Sequence, residues 1–179
     1  LVGLPDNAIR EGWQRMEAAI KNIGYRMPRC KIVANLAPAD IRKEGSSYDL
    51  PIVTAIAAST GMISDEKLGR FMLVGELSLD GSIRPVKGVL PIAIQARRQK
   101  FEGLIVPEAN AKEAAIVNQL NVYGVKNLTE VFDFFNETKK LTPYVYDTRE
   151  AFAEAQDKYA FDFSDVKGQQ NIKRALEIA

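Results

Sequence analysis

Apolar residues near the start of the chain recur with the period of an α-helix. The spacings are four, three, four and three residues for the set Ile9, Trp13, Met16, Ile20 and Ile23. These positions share one helix face, and we expect Trp13 and Met16 to lie in the core rather than in a ligand site. Asp6 can accept hydrogen bonds from the first turn, and Gly24 can end the helix in a left-handed conformation. The pattern predicts an amphipathic helix between these two residues.

Short apolar runs alternate with helical stretches over residues 30–136. The predicted strands are 31–36, 71–79, 82–86, 103–106 and 121–125. The predicted helices are 50–60, 89–100, 111–120 and 129–135. Asp80-Gly81 predicts a tight hairpin turn, and Asn110 and Thr129 are expected to cap the helices that they precede. This alternation predicts an α/β fold of layered sheet and helices with at least one antiparallel hairpin.

The character of the sequence changes after Asn136. Residues 137–165 are polar and lack a strong period, which predicts a linker or a strap over the surface. Residues 171–179 again follow a helical pattern. Because the sequence starts at Leu1 in an apolar segment and stops within this helix, we expect a piece of a longer protein that lacks its first strands. We divide it into a domain over 1–136, a linker over 137–164 and the start of another domain over 165–179.

Two residue types restrict the possible chemistry. The chain has no histidine, which excludes a Ser-His-Asp or Cys-His nucleophile system and a His-ligated metal centre within it. Its one cysteine, Cys30, excludes an internal disulfide and a multi-Cys zinc site, and we interpret it as a small residue before the strand 31–36. Serine, lysine and carboxylate chemistry remain possible.

The two halves of the chain carry opposite net charge, although the total is only +1. Residues 1–100 hold 15 Lys and Arg against 10 Asp and Glu, a balance of +5, and residues 101–179 hold 9 against 13, a balance of −4. A basic half can bind a phosphate backbone or an acidic protein, but we favour a solvated surface of mixed charge. Tyr123, Tyr144 and Tyr146 are not interleaved with basic residues and predict no stacking platform for single strands. No stretch approaches the ~18 apolar residues of a membrane span and no signal peptide is present, so we expect a cytoplasmic protein without a membrane partner.

Other charged groups give weaker signals. Four acids are candidates for a carboxylate pair or a magnesium site: Asp65, Glu66, Glu76 and Asp80. Acids on turns are usually solvated, so we expect neither a metal nor a cofactor in this chain. Arg97, Arg98 and Lys100 match the negative end of a helix dipole, with phosphate contact as the alternative.

Several ordered blocks of sequence resemble one known family. They are residues 2–6 (VGLPD), 35–45 (NLAPADIRKEG), 48–52 (YDLPI), 75–81 (GELSLDG), 84–91 (RPVKGVLP) and 165–169 (DVKGQ). Together they are similar to the amino-terminal module of the ComM/YifB-type magnesium-chelatase-like AAA+ ATPases, which resembles the proteolytic domain of Lon protease. The resemblance implies a Lon-like fold with a mixed sheet and packed helices. It also implies that residue 165 enters an AAA+ ATPase domain.

The resemblance identifies Ser47 as the residue at the Lon nucleophile position. Residues 43–49 (KEGSSYD) take the place of the Lon serine motif, and Ile92 takes the place of the lysine base. Isoleucine cannot accept a proton, and Lys87, five residues earlier, would lie about 140° around a helix and ~7.5 Å along it. We therefore expect no catalytic residue here. Ser46, Ser47 and Asp49 are interpreted as caps of the following helix, with Asp49 adding a negative charge beside Ser47.

The resemblance implies a non-catalytic accessory domain of an ATPase that forms a hexameric ring and drives DNA branch migration during recombination of incoming DNA. This domain would guide DNA or mediate assembly at one face of the ring. ATP and magnesium would bind in the ATPase domain, since residues 1–179 contain no Gly-x-x-x-x-Gly-Lys-Ser/Thr loop. The alternative is a Ser-Lys peptidase or a peptide-binding domain that regulates protein turnover. No residue pattern supports magnesium insertion into a porphyrin.

Overall fold

A computed structural model describes residues 1–38, 40–146 and 166–178. The described residues form six α-helices: Asn7–Asn22 (α1), Asp49–Ser59 (α2), Val89–Arg98 (α3), Glu108–Ala114 (α4), Leu128–Phe135 (α5) and Gln170–Ile178 (α6). They also form five strands: Phe71–Leu73 (β1), Glu76–Leu77 (β2), Ile83–Arg84 (β3), Gly103–Pro107 (β4) and Asn121–Val125 (β5). Short 3-10 turns occupy Ser46–Tyr48 and Leu68–Arg70. The chain divides into two compact units, Leu1–Tyr146 and Asp147–Ala179.

The first helix forms as its sequence pattern predicts. The Asp6 side chain accepts a hydrogen bond from the Ile9 N–H at 2.9 Å, which satisfies one of the free donors of the first turn. Met16 and Ile20 are fully buried, whereas Trp13 is only half-buried against the same core. Gly24 follows the helix with a φ of +88°, a conformation that glycine adopts without strain.

A parallel sheet with the strand order β1-β4-β5 lies at the centre of the first unit. Every residue of β4 is buried, as expected for a parallel strand covered on both faces. Side chains that alternate along β4 enter two separate hydrophobic clusters. Ile105 packs with residues of α1, α2 and α5, whereas Leu104 and Val106 pack with residues of α3 and α4. The α/β class is confirmed: helices cover both faces of the sheet.

The predicted strand 71–79 is instead two strands in different sheets. β1 pairs in parallel with β4, and β2 pairs with β3 in an antiparallel hairpin. The chain leaves the parallel sheet at Gly75, whose N–H donates to the Ser47 carbonyl at 3.1 Å and whose carbonyl accepts from the Leu50 N–H at 3.0 Å. A Cβ on Gly75 would lie 2.9 Å from Ile83 Cγ2, so a larger residue at this position would force the Ile83 side chain or the backbone to shift. The hairpin at Asp80-Gly81 is confirmed, with Gly81 at a φ of +86°. Parallel and antiparallel strands thus occupy separate sheets rather than one mixed sheet.

Three local predictions are wrong. The segment 31–36 is not a strand: it forms only an isolated β-bridge between Val2 and Asn35. Among the described residues, its backbone lacks the further hydrogen-bond partners that would extend this bridge into a ladder. Asn110 does not cap a helix over 111–120: α4 begins at Glu108, and the Asn110 amide binds the Val86 backbone instead. Thr129 is not a cap either, because Asn127 caps α5 by accepting from the Glu130 N–H at 3.0 Å.

Residues 137–146 of the predicted linker form no helix or strand, and the rest of that linker lies outside the described residues. In the second unit, the predicted C-terminal helix is confirmed as α6. None of the helices described here is long and apolar enough to cross a bilayer.

Candidate functional site

The loop before α2 carries the serine at the predicted nucleophile position, and the start of the chain holds this loop in place. The Lys43 N–H donates to the Leu4 carbonyl at 3.2 Å, and the Lys43 carbonyl accepts from the Asp6 N–H at 3.1 Å. The Asp6 carboxylate also accepts from the Gly45 N–H at 2.8 Å. Because of these two backbone hydrogen bonds, from Gly45 first and then from Ile9, the pKa of Asp6 lies below its ordinary value of 3.8. The helix cap of α1 therefore also positions this loop.

Lys43 is the lysine nearest to Ser47 in the sequence, and it is 5% exposed. Its ammonium donates to the carbonyls of Pro38 and Ile41, the latter at 2.7 Å. These two acceptors stabilise a buried positive charge that would otherwise be costly. The amine holds the loop together and makes no hydrogen bond to Ser47.

Ser47 is half-buried in the 3-10 turn before α2. Its carbonyl accepts from Gly75, but its hydroxyl has no hydrogen-bond partner among the described residues. No lysine amine of this part of the chain therefore lies within hydrogen-bonding distance of the Ser47 hydroxyl. The neighbouring Ser46 hydroxyl donates to the Glu76 carboxylate of β2.

The residues at and near the predicted base position lie in a different environment. Ile92 is on α3, half-buried against the cluster that covers the second face of the sheet. Lys87 precedes α3, which begins at Val89, and is exposed. Its ammonium makes no hydrogen bond or ion pair with a described residue. Neither Ile92 nor Lys87 makes a side-chain hydrogen bond with Ser47 in the described part of the chain.

The predicted capping role of Ser46, Ser47 and Asp49 is wrong, since no side chain caps the start of α2. Asp49 is instead 1% exposed and forms a two-point ion pair with Arg15 of α1. Its Oδ2 accepts from Arg15 Nε at 2.8 Å, and its Oδ1 accepts from Nη2 at 3.2 Å. The negative charge expected beside Ser47 is thus paired with a guanidinium.

The same carboxylate connects three elements of the fold. Asp49 Oδ2 also accepts from the Leu77 N–H at 3.2 Å, which joins β2 to α1 and α2. A Cβ on Gly12 would lie 2.3 Å from Asp49 Oδ1, so α1 needs glycine at this point of contact. Burial raises the pKa of Asp49, although the hydrogen bonds from Arg15 and Leu77 act in the opposite direction. The hydrogen bond to Asp49 raises the pKa of Arg15. This geometry identifies the region as a structural junction.

The four candidate acids do not come together. Asp65 and Glu66 are exposed, Asp80 accepts from the Ser82 N–H and hydroxyl, and Glu76 accepts from Ser46. Among the described residues, no group of three or more acids, histidines or cysteines could hold a metal ion.

The remaining candidate residues serve other contacts. Arg97 and Arg98 lie in the last turn of α3, as the dipole argument predicts. Tyr123 packs edge-on against Phe71 at 6.0 Å between ring centroids, while Lys112 Nζ lies 5.6 Å from the centre of the Tyr146 ring. Cys30 is exposed and precedes no strand, contrary to its predicted place.

Comparison with known proteins gives one family match and several relatives. The model of the family described as subunit ChlI of Mg-chelatase matches residues 1–110. Competence protein ComM of Haemophilus influenzae is 38% identical over 179 residues, which is 100% of this chain and 35% of that protein. The uncharacterised protein YifB of Escherichia coli is 38% identical over 99% of this chain and 34% of its own length. Lon protease 2 of Borreliella burgdorferi is 32% identical over 100 residues, covering 52% of this chain and 12% of that protein. The chain spans about a third of the length of its ComM and YifB relatives.

Proposed function

Because the chain belongs to the Mg-chelatase ChlI family and fits its ComM/YifB type, we propose that it is a non-catalytic, Lon-like accessory domain of an AAA+ ATPase. The observation that carries this proposal is the environment of Ser47. The resemblance assigns Ser47 to the Lon nucleophile position and Ile92 to the position of the lysine base, and the Ser47 hydroxyl makes no hydrogen bond to an amine of the described residues.

The longer protein that we propose is a cytoplasmic, hexameric ATPase that drives DNA branch migration. Two observations support it: the relatives are about three times as long as this chain, and one of them is named a competence protein. In this proposal ATP and magnesium bind in the ATPase domain, and the present domain guides DNA or mediates assembly of the ring.

The DNA-guiding role is tested by measuring binding of the 179-residue chain to branched, single-stranded and duplex DNA over a range of salt concentrations. We expect salt-sensitive binding, because contacts with phosphates release counterions. Absence of such binding, together with unchanged DNA binding by the longer protein after deletion of this domain, would refute the guiding role.

The alternative is a peptidase or peptide-binding domain, which the similarity to Lon protease 2 favours. Incubation with an unfolded protein substrate tests it, with Ser47→Ala as the matched control. Cleavage that the wild type performs and the variant does not would establish the peptidase and refute our proposal. Equal absence of cleavage in both supports the accessory domain.

A further inference from the structure

The end of α1 and the loop that follows it concentrate positive charge. Residues 18–39 contain no Asp or Glu, and four cations lie within eleven positions of that stretch: Lys21, Arg26, Arg29 and Lys31. All four are exposed. None of them forms an ion pair with a described residue, whereas elsewhere in the described part of the chain five ion pairs neutralise cations, among them Arg15 and Arg70. The charge of this surface is available to a ligand.

Three of these four cations line an open cleft that also contains aromatic side chains. Its volume is about 620 Å³, and its lining consists of Trp13, Glu17, Lys21, Gly24, Tyr25, Arg26, Met27, Pro28 and Arg29. Three cations thus face one acid, Glu17. Trp13, expected to be a core residue, is half-buried and lines this cleft. The edge of the Tyr25 ring packs against Phe132 with 5.2 Å between centroids, which fixes its position.

Fixed aromatic side chains beside unpaired cations are the combination that binds single-stranded nucleic acids. The cations contact phosphates, and the aromatic faces stack with bases independently of sequence. We propose that this cleft, together with the exposed Lys31 two residues after Arg29 in the sequence, binds single-stranded DNA; this rests on the proposed function and gives it a location. An acidic protein segment would use the cations but would gain nothing from base stacking on Trp13, so the aromatic lining favours nucleic acid.

The chain contains two intrinsic reporters, one that lines the cleft and one next to the lining residue Arg29 in the sequence. Trp13 is its only tryptophan and Cys30 its only cysteine, and Cys30 lies exposed between Arg29 and Lys31. We expect oligothymidylate to change the fluorescence of Trp13 and to slow alkylation of Cys30. Unchanged fluorescence and unchanged alkylation at saturating oligothymidylate would place the DNA elsewhere and overturn the proposal.

Charge variants of the 179-residue chain test the location. The double variant Arg26→Gln/Arg29→Gln removes two exposed cations of the cleft, and Arg97→Gln/Arg98→Gln removes the same charge from the end of α3. With four phosphate contacts, we expect the logarithm of the binding constant of the wild type to fall with log salt with a slope of about −3. In the first variant two contacts are lost, so the slope should become about −1.5 and binding should be roughly 20-fold weaker at about 0.1 M salt. The second variant should bind as the wild type does.

The outcomes separate this proposal from the accessory-domain proposal. Equal binding by the cleft variant and the wild type, or a loss confined to Arg97→Gln/Arg98→Gln, overturns the cleft but leaves a DNA-binding accessory domain. Ser47-dependent peptide cleavage refutes the accessory domain but leaves the cleft. If polyglutamate binds as tightly as oligothymidylate and its binding depends equally on Arg26 and Arg29, the cleft is a site for acidic protein. That result overturns the assignment to DNA.

Discussion

The ion pair between Arg15 and Asp49 joins α1 to the first residue of α2, directly after the loop that carries Ser47. Replacement of Arg15 with methionine keeps an unbranched side chain but removes the guanidinium. The Asp49 carboxylate, only 1% exposed, then retains the Leu77 N–H as its hydrogen-bond donor. A buried charge left with one donor is unfavourable, and the free energy of unfolding must fall.

The size of this fall follows from burial on the two sides of the pair. Removal of one partner of a buried ion pair costs about 3–5 kcal/mol. The Arg15 side chain is 22% exposed, so water already screens part of the interaction, and we expect the lower end of that range, about 3 kcal/mol. For a chain of this size, that loss lowers Tm by roughly 6–12 °C.

Urea denaturation of the 179-residue chain, followed by circular dichroism, measures the effect. Arg10→Met is the matched control, because Arg10 is an exposed residue of the same helix, and we expect it to change stability by less than about 0.5 kcal/mol. The difference in free energy of unfolding between Arg15→Met and wild type should become smaller as the pH falls. Without the guanidinium the pKa of Asp49 is raised further, so the carboxyl is protonated at a higher pH in the variant, and a protonated carboxyl no longer buries a charge. A loss below about 1 kcal/mol at pH 7 would show that the ion pair does not hold the junction.

Three further substitutions test separate contacts by the same unfolding measurement. Gly12→Ala should destabilise by about 2 kcal/mol because its Cβ would lie 2.3 Å from Asp49 Oδ1; stabilisation, as helix propensity alone predicts, would contradict this. Asp6→Asn keeps one oxygen to accept from the Ile9 N–H but loses the second acceptor for the Gly45 N–H, and it should cost about 1 kcal/mol above pH 3.8. This cost should shrink as the pH falls through the lowered pKa of Asp6, and a pH-independent cost would disprove the assigned hydrogen bonds. Asn110→Leu should lower the free energy of unfolding by about 2 kcal/mol, because the Val86 N–H and C=O lose their partners on the Asn110 amide. An unchanged stability would show that these two hydrogen bonds do not stabilise the fold.

Local sequence patterns predicted α1 and β4. The period of apolar residues and the Asp6 cap define α1, and the buried apolar run 103–106 defines β4. The prediction over 71–79 failed because the chain changes sheets at Gly75, where contacts with the start of α2 determine its path. Apolar character gives no indication of which backbone a strand will pair with.

The place of Ser47 before a helix was predictable from the sequence, whereas the contacts around it were not. The motif at 43–49 placed Ser47 correctly in the loop before α2. The partner of Asp49 is 34 residues away in the sequence, and nothing in the pattern of α1 distinguishes Arg15 from its other arginine. From the sequence, Gly12 is only a residue of low helix propensity inside a helix. Its role becomes apparent in the structure, where the Asp49 carboxylate lies close against it. Such contacts depend on the packing of α1 on α2, which the sequence pattern did not determine.

The reactivity of Ser47 decides between an accessory domain and a peptidase. The measurement is treatment of the 179-residue chain with a fluorophosphonate, followed by intact-mass spectrometry, with Ser47→Ala as the control and an active serine hydrolase as the reference. We expect the chain to keep its mass under conditions that fully label the hydrolase, and the variant to behave identically. A single adduct on the wild type that is absent from Ser47→Ala would show that the serine is activated and would contradict a non-catalytic domain.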